Sequence, residues 1–225
     1  MSEGLHNDKL ASLRREYTRT GLDESQADPD PIKQFDIWFN EALEAELMDA
    51  NGMTLATADR EARPSARTVL LKHFDHKGFV FYTNYESRKA KEMDANPAVT
   101  LLFYWREFER QVRIEGRAEK ISRRESMYYF MQRPRDSRIG AWVSNQSSVI
   151  TARSMLDAKF QEMKRKFGNK EVPLPDFWGG YRVVPEQIEF WQGRTNRLHD
   201  RLLYTQEQDS GQQEEIKWKI SRLAP

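Results

Sequence analysis

The sequence predicts a mainly β fold with flanking helices, an antiparallel barrel. Two observations carry this. Between Met53 and Ile121 five short β segments follow one another at close spacing, separated by turn signals and interrupted by a single helix. The connections Asp59-Arg60-Glu61-Ala62-Arg63-Pro64 and Asp75-His76-Lys77-Gly78 have hairpin length and chemistry, so neighbouring strands should run antiparallel. More β segments return late in the chain, which completes a barrel rather than a doubly wound sheet.

Taken in order, residues 1–27 form a polar N-terminal segment and residues 28–225 one domain. Asp28-Pro29-Asp30-Pro31 breaks the chain, and Asp30 can cap a helix with Pro31 at its first position. That helix is expected to run to about Ala50, with Phe35, Trp38, Phe39, Ala42, Leu43 and Leu47 as one apolar stripe facing the core. Strands are expected at Met53–Ala58, Ala66–His73, Phe79–Thr83, Ala98–Trp105 and Gln111–Ile121, with a helix at about Glu86–Asn96. Helices at about Ser122–Gln132 and Thr151–Phe167 follow, the first ended by Pro134. Strands at Tyr181–Val184, Gln187–Gln192, His199–Tyr204 and about Ile216–Ile220 complete the order, with 205–215 as a polar hairpin loop.

Composition bounds the function. A chain of 225 residues suits one sizeable domain, able to bury roughly 70% of its unfolded surface. Lys+Arg 36 against Asp+Glu 35 leaves a net charge of +1, without the basic field of a general nucleic-acid binder, so any anion site must be local. The absence of cysteine excludes thiol nucleophiles, disulfides, iron–sulfur clusters and cysteine zinc sites. His6, His73, His76 and His199 show no metal-ligand spacing, so no metal is expected. The polar Met1–Leu10 carries no secretory core, and the most apolar run, Val99–Trp105, is far short of the ~20 residues that span a bilayer. A cytoplasmic protein, with no membrane and no nucleic-acid partner, is the expectation.

Several stretches carry potential chemistry. If the run from Arg197 is a strand, Arg197, His199 and Arg201 share one face while Leu198 and Leu202 point into packing. Three polar groups then line one surface, in the manner of an anion site; a solvated edge strand fits the same pattern. Arg67 and Lys72 stand an odd number apart on their strand, on opposite faces unless a bulge intervenes, and would serve different anions. Phe81-Tyr82-Thr83-Asn84-Tyr85-Glu86-Ser87-Arg88-Lys89 runs from strand into helix, where free N–H groups and two cations suit a phosphate, although a capped surface helix has the same sequence signs. Tyr129 and Arg133 share a helix face, and Pro134 lets Ser137 fold back beside them. Tyr128–Met131 fits core packing equally well. Gln111 and Gln146-Ser147-Ser148 add neutral donors. Two phosphate-bearing ligands, with no thiol, metal or serine triad, leave the hard chemistry to a cofactor, and the missing adenylate glycine motif points to FMN.

These blocks, with Leu13-Arg14-Arg15-Glu16-Tyr17, Arg133-Pro134-Arg135-Asp136-Ser137, Phe177-Trp178-Gly179-Gly180, Glu189-Phe190-Trp191-Gln192-Gly193 and Arg222-Leu223-Ala224-Pro225, closely resemble the pyridoxamine/pyridoxine 5'-phosphate oxidase family over nearly the whole chain. The resemblance implies an FMN-binding split β-barrel of antiparallel Greek-key type, a homodimer with FMN at the subunit interface. It implies that Arg67, Thr68, Val69, Leu70, Leu71, Lys72, Tyr82, Thr83, Arg88 and Lys89 hold FMN, completed by Gln111, Gln146, Ser147, Trp191 and Arg201. Lys72, Tyr129, Arg133 and Ser137 would take the substrate phosphate. Arg197 and His199, the catalytic pair, would contact the pyridine ring, and Arg14 and Tyr17 would lie in an N-terminal lid over the substrate. The variable Arg194-Thr195-Asn196 is given no role, and the acidic Asp23-Glu24 argues against a further anion site there.

The implied reaction oxidises pyridoxamine or pyridoxine 5'-phosphate with O2, through the flavin, to pyridoxal 5'-phosphate, releasing H2O2 and, from the amine, NH3. Two alternatives share the barrel: a phenazine-type flavin oxidase, against which Lys72, Tyr129, Arg133 and Ser137 argue, and a non-catalytic flavin- or haem-binding protein, which would not need Arg197 and His199.

Overall fold

The computed structural model describes residues 21–143, 146–147, 152–207 and 217–225. Helix α1 (Pro31–Glu44) is followed by strands β1 (Gly52–Ala58), β2 (Pro64–Leu70), β3 (His73–Asp75) and β4 (Gly78–Asn84), then by α2 (Arg88–Ala95), β5 (Ala98–Trp105) and β6 (Arg110–Lys120). Helices α3 (Arg123–Gln132), α4 (Arg135–Val143) and α5 (Arg153–Phe167) come next, and β7 (Trp178–Gln192), β8 (Asp200–Gln206) and β9 (Trp218–Arg222) close the order. The sheet runs β2-β1-β5-β6-β7-β4-β3, with β8 pairing β7 and β9. The ladders β1/β2, β1/β5, β3/β4, β4/β7 and β8/β9 are antiparallel, and the two connections of hairpin length join β1 to β2 and β3 to β4 as expected. Among the described residues no helix is long and apolar enough to cross a membrane.

The chain divides into two compact units. The first takes the described part of the first fifty residues with Tyr104–Val112 and Ile188–Pro225. Its α1 begins where Asp30 accepts from the Ile32 N–H at 2.9 Å, with Pro31 at the first position. An aromatic core holds the helix: Phe35 stands 6.1 Å from Trp105, and Trp38 meets Phe190 edge-on at 5.3 Å. The helix ends at Glu44 rather than Ala50, because Glu46 (φ 50°) turns the chain left-handed. Leu43, expected in the buried stripe, is 49% exposed, since the buried face runs through Phe35, Trp38 and Ala42.

The second unit takes Asn51–Phe103 and Arg113–Gln187. Met53, Leu55, Phe79, Phe81, Leu101, Phe103 and Ile114 form its sheet core, and Phe130, Ile139, Val143, Met163, Phe167 and Trp178 pack where α3, α4 and α5 meet. Three expectations change here. The expected strand 66–73 splits into β2 and β3, because Leu71 N–H turns to Asn51 O (2.8 Å) and Lys72 N–H to Val80 O (2.9 Å). The expected strands 181–184 and 187–192 are one, β7, running through Pro185; Gly116 permits this, since a Cβ there would lie 2.0 Å from Val184 O. The helix α4 was not expected at all. In the first unit the final strands start at Asp200 and Trp218, and the loop expected at 205–215 lies largely outside the described residues.

Candidate active site

A cavity of about 900 Å³ in the second unit gathers Arg67, Thr68, Val69, Leu70, Lys72, Tyr82, Thr83, Arg88, Lys89, Tyr129, Arg133, Ser137, Gln146 and Ser147. Five of its lining residues are cations, Arg67, Lys72, Arg88, Lys89 and Arg133, and none is a carboxylate. Such a lining attracts an anion of more than one charge. Leu71 is the one member of the 67–72 run that turns away, 4% exposed in the core.

Arg67 and Lys72 were expected on opposite strand faces, yet both line this cavity. The strand period stops at Leu70, where the backbone changes hydrogen-bond partner, so the alternation no longer relates the two side chains.

At one part of the cavity β4 hands over to α2, capped by Ser87, whose Oγ accepts from Ala90 N–H. Lys89, 7% exposed, donates to Thr83 Oγ1 (3.1 Å) and Gln146 Oε1 (3.2 Å), and Thr83 Oγ1 donates to Gln146 Oε1 (3.0 Å). Burial, aided by the Arg67 charge and opposed by Glu92, pulls the Lys89 ammonium down to about 8. Arg88 N–H donates to Ser147 Oγ at 3.3 Å. Beneath them Glu92 accepts from Thr57, Ser65, Arg67 and Arg88.

The other part is built where α3 gives way to α4. Ser122 and Glu125 close a capping box at the start of α3, and Pro134 interrupts the helical run after Arg133 (φ −70°, ψ 145°). Tyr129, Arg133 and Ser137 all reach the cavity, while Phe130 is fully buried and Tyr128 is 74% exposed. The core reading of Tyr128–Met131 therefore holds for Phe130 and in part for Tyr129, which packs half-buried against the same cluster. Tyr82 stacks on Tyr129 (centroids 3.9 Å) and on Trp178 (5.4 Å), and those two rings also stack on each other at 6.3 Å. Gly180 makes room for Tyr82, whose Cε1 would be 2.9 Å from a Cβ there. The Arg133 guanidinium sits 4.7 Å from the Trp178 centroid, and its Nη1 is buried with no hydrogen-bond partner among the described residues. A buried unpaired donor costs about 1–3 kcal/mol, more when charged, unless a ligand satisfies it.

The remaining predicted residues belong to the first unit. Arg197, His199 and Arg201 do not share a strand face: β8 starts at Asp200, and Thr195–Arg197 is a short 3-10 turn in which Asn196 (φ 56°) and Arg197 (φ 61°) are left-handed. Leu198, expected inside, is 67% exposed, whereas Leu202 is fully buried as expected. His199 lies 4.6 Å from the Trp191 ring, and its Nδ1 accepts the Arg194 N–H at 3.1 Å, a contact from a residue given no role. Burial, then the Arg197 charge, holds the imidazole below its ordinary 6.5, against the pull of Asp200. Arg201 grips Glu189 with Nε (2.9 Å) and Nη2 (3.1 Å) and donates to Ala224 O with Nη1 (2.7 Å). Gln111 stands half-buried on β6. Arg14 and Tyr17 lie outside the described residues.

Sequence reasoning gave no role to Trp178, Ser65, Thr57 or Glu92. Trp178 was legible only as part of a motif. Glu92 sits four residues after Arg88, a spacing that signals a helix-face ion pair and nothing more.

Residues 39–167 match the Pyridoxamine 5'-phosphate oxidase family, and residues 178–225 match the Pyridoxine 5'-phosphate oxidase C-terminal dimerisation region. A pyridoxine/pyridoxamine 5'-phosphate oxidase of Rubrobacter xylanophilus is 58% identical over 225 residues, covering all of both chains. That of Rippkaea orientalis is 56% identical over 216 residues, 96% of this chain and 99% of its own. Among solved structures, PhzG from Burkholderia lata, in complex with tetrahydrophenazine-1-carboxylic acid, is 27% identical, covers 94% of this chain and all of its own, and superposes with a TM-score of 0.84. An FMN-binding protein of Nostoc punctiforme, 16% identical over 87% of this chain and 98% of its own, shares the fold at a TM-score of 0.68. With matching family segments over most of its length and relatives of this identity, the chain belongs to the pyridoxamine 5'-phosphate oxidase family, flavoprotein oxidoreductases of split-barrel fold, and is an oxidase.

Proposed function

We propose that the chain catalyses the FMN-dependent oxidation of pyridoxamine 5'-phosphate and pyridoxine 5'-phosphate by O2, giving pyridoxal 5'-phosphate, H2O2 and, from the amine, NH3. The observation that carries this reading is the cavity of five cations and no carboxylate beside the Tyr82, Tyr129 and Trp178 rings. Two ligands that each bring a phosphate and an aromatic ring match that chemistry, and Arg133 Nη1, buried with no partner among the described residues, is a donor suited to an anion.

Arg67 to Lys72, Tyr82, Thr83, Arg88, Lys89, Gln146 and Ser147 would hold FMN. Gln111, Trp191 and Arg201 complete its site in a cytoplasmic homodimer in which each site draws on both chains. When bound, FMN would supply the two-electron redox chemistry between the substrate and O2 that no side chain of the site can provide. Lys72, Tyr129, Arg133 and Ser137 take the substrate phosphate, and Arg14 and Tyr17 cover the substrate. Arg197 and His199 orient the pyridine ring, and holding two reactants in register can supply several kcal/mol of the barrier. Burial and the Arg197 charge favour the neutral imidazole of His199, and with Nδ1 accepting from Arg194 the neutral ring carries its proton on Nε2, the nitrogen we assign to the substrate.

The test is the visible spectrum of the purified protein before and after anaerobic addition of pyridoxamine 5'-phosphate. A flavin band that bleaches is expected; a protein that carries no flavin, or flavin that stays oxidised, removes the reading. The bound tetrahydrophenazine acid of PhzG motivates a second reading, a phenazine-type oxidase, which substrates without phosphate would reveal.

Lys89 gives a pH prediction. An FMN phosphate carries close to two charges above its second pKa of about 6. The free protein's Lys89 loses its proton near 8, and binding would have to restore it. FMN affinity should be level between about pH 6.5 and 7.5 and weaken above 8, by up to about tenfold per pH unit. Fluorescence titrations at pH 7, 8 and 9 check this, and equal affinities at all three take Lys89 out of the phosphate site.

A further inference from the structure

We infer that Glu92 is the positioning residue of the FMN phosphate site: it holds Arg67 and Arg88, from two different elements, in the arrangement that receives the phosphate. This rests on the FMN reading above. Glu92 is on α2, 5% exposed, and is not part of the cationic lining. Its Oε2 accepts from Thr57 Oγ1 (2.5 Å), Ser65 Oγ (2.6 Å) and Arg67 Nη2 (3.2 Å), and its Oε1 accepts from Arg88 Nε (2.7 Å). Thr57 lies on β1, Ser65 and Arg67 on β2, and Arg88 on α2, so one carboxylate joins three elements.

The network is closed around Arg67. Its Nη1 donates to Thr57 Oγ1 (2.6 Å) and Leu55 O (3.2 Å), and its Nη2 also reaches Ser65 Oγ. Both hydroxyls that hold the guanidinium are themselves pinned by Glu92. The Arg88 side chain is otherwise 63% exposed, and Glu92 takes only its Nε, leaving both terminal nitrogens uncommitted among the described residues.

The reason for a carboxylate at this place is electrostatic. Arg67, Arg88 and Lys89 are like charges that line one cavity, and they would repel one another if nothing lay between them. Glu92 offsets one charge, and the surplus of two positive charges equals the charge of a phosphate dianion. Burial alone would raise the Glu92 carboxyl, but hydrogen bonds from Ser65, Thr57, Arg88 and Arg67 bring it down to about 2, so the anion persists at any working pH.

A merely structural Glu92 would matter equally for every flavin, whereas a positioning residue for the phosphate matters only for FMN. The experiment titrates the full-length chain with FMN and with riboflavin, following flavin fluorescence, for wild type, Glu92→Gln and Glu92→Asp. Glutamine keeps the size but places an N–H2 against hydroxyl and guanidinium donors. The expected result is a loss of FMN affinity of about 10- to 100-fold in Glu92→Gln, the scale of one charged hydrogen bond. Riboflavin affinity should change less than about twofold, and Glu92→Asp should recover part of the FMN loss because the charge remains. If Glu92→Gln does not fold, Ser65→Ala, which removes a single donor, carries the same comparison with a smaller selective loss. Equal losses for FMN and riboflavin, or an unchanged FMN affinity, overturn the assignment. A wild type that does not prefer FMN to riboflavin overturns the FMN reading itself and this inference with it.

Discussion

Arg133→Ala is expected to lower kcat/KM for pyridoxamine 5'-phosphate about 10- to 150-fold, because a hydrogen bond to a charged group contributes roughly 1.5–3 kcal/mol. Arg133 Nη1 is buried with no hydrogen-bond partner among the described residues, so its removal takes no hydrogen bond from them at that nitrogen. The loss falls on the complex. Arg133→Lys should restore only part of the activity, since an ammonium keeps the charge but loses the planar fork, and with it the guanidinium held 4.7 Å from the Trp178 ring. Pyridoxamine without its phosphate forgoes Lys72, Tyr129, Arg133 and Ser137 together and should be a very poor substrate. The measurement is kcat/KM for pyridoxamine with and without phosphate, in wild type and Arg133→Ala. A wild type that uses both forms equally, or a variant that weakens both by the same factor, returns the phenazine-type alternative to the front.

His199→Ala and Arg197→Ala should each slow reduction of the flavin, by up to ~10²-fold, while FMN stays bound, because small losses of orientation between reacting rings have effects of that size. Anaerobic single-turnover reduction by pyridoxamine 5'-phosphate separates the two outcomes. Variants that lose FMN and then reduce at the normal rate when it is resupplied would sink the substrate-ring assignment. The pH dependence has a definite sign. His199 is held below its ordinary value, first by burial and then by Arg197, so it stays neutral through pH 7. Flavin reduction in wild type should fall only as the pH drops through that lowered value, and His199→Ala should lack this acid limb.

Much of the fold was legible because its signals are local. The Asp30 cap with Pro31, the Ser122 start of α3 and the hairpin connections between β1 and β2 and between β3 and β4 depend on residues only a few positions apart, and the structure has each of them. The β5 segment Ala98–Trp105 was readable to the residue. Side-chain chemistry was legible too: the cations, hydroxyls and aromatics singled out in the second unit line one cavity.

Other features depended on partners distant in sequence. Leu71 and Lys72 leave the strand because Asn51 and Val80 offer backbone acceptors, and that exchange is what brings Lys72 to the same cavity as Arg67. Alternation predicted opposite faces, and it fails wherever a ladder ends. The Arg197 turn was hidden because left-handed φ values at Asn196 and Arg197 leave no trace in hydrophobic spacing. Trp178 becomes part of the site through stacking with Tyr82 and Tyr129, from strands and a helix far apart in the chain. Glu92 is the clearest case: by sequence it is one more helical acid, and only the packing of α2 beside Thr57, Ser65 and Arg67 makes it the anion that those donors share. Local signals in the sequence placed most of the strands and helices, their caps and the cationic and hydroxyl side chains of the cavity, but not α4, the break after Leu70 or the continuity of β7. Tertiary structure decided which of them meet, because burial and hydrogen bonding between distant segments depend on where the chain returns, and local periodicity carries no record of that.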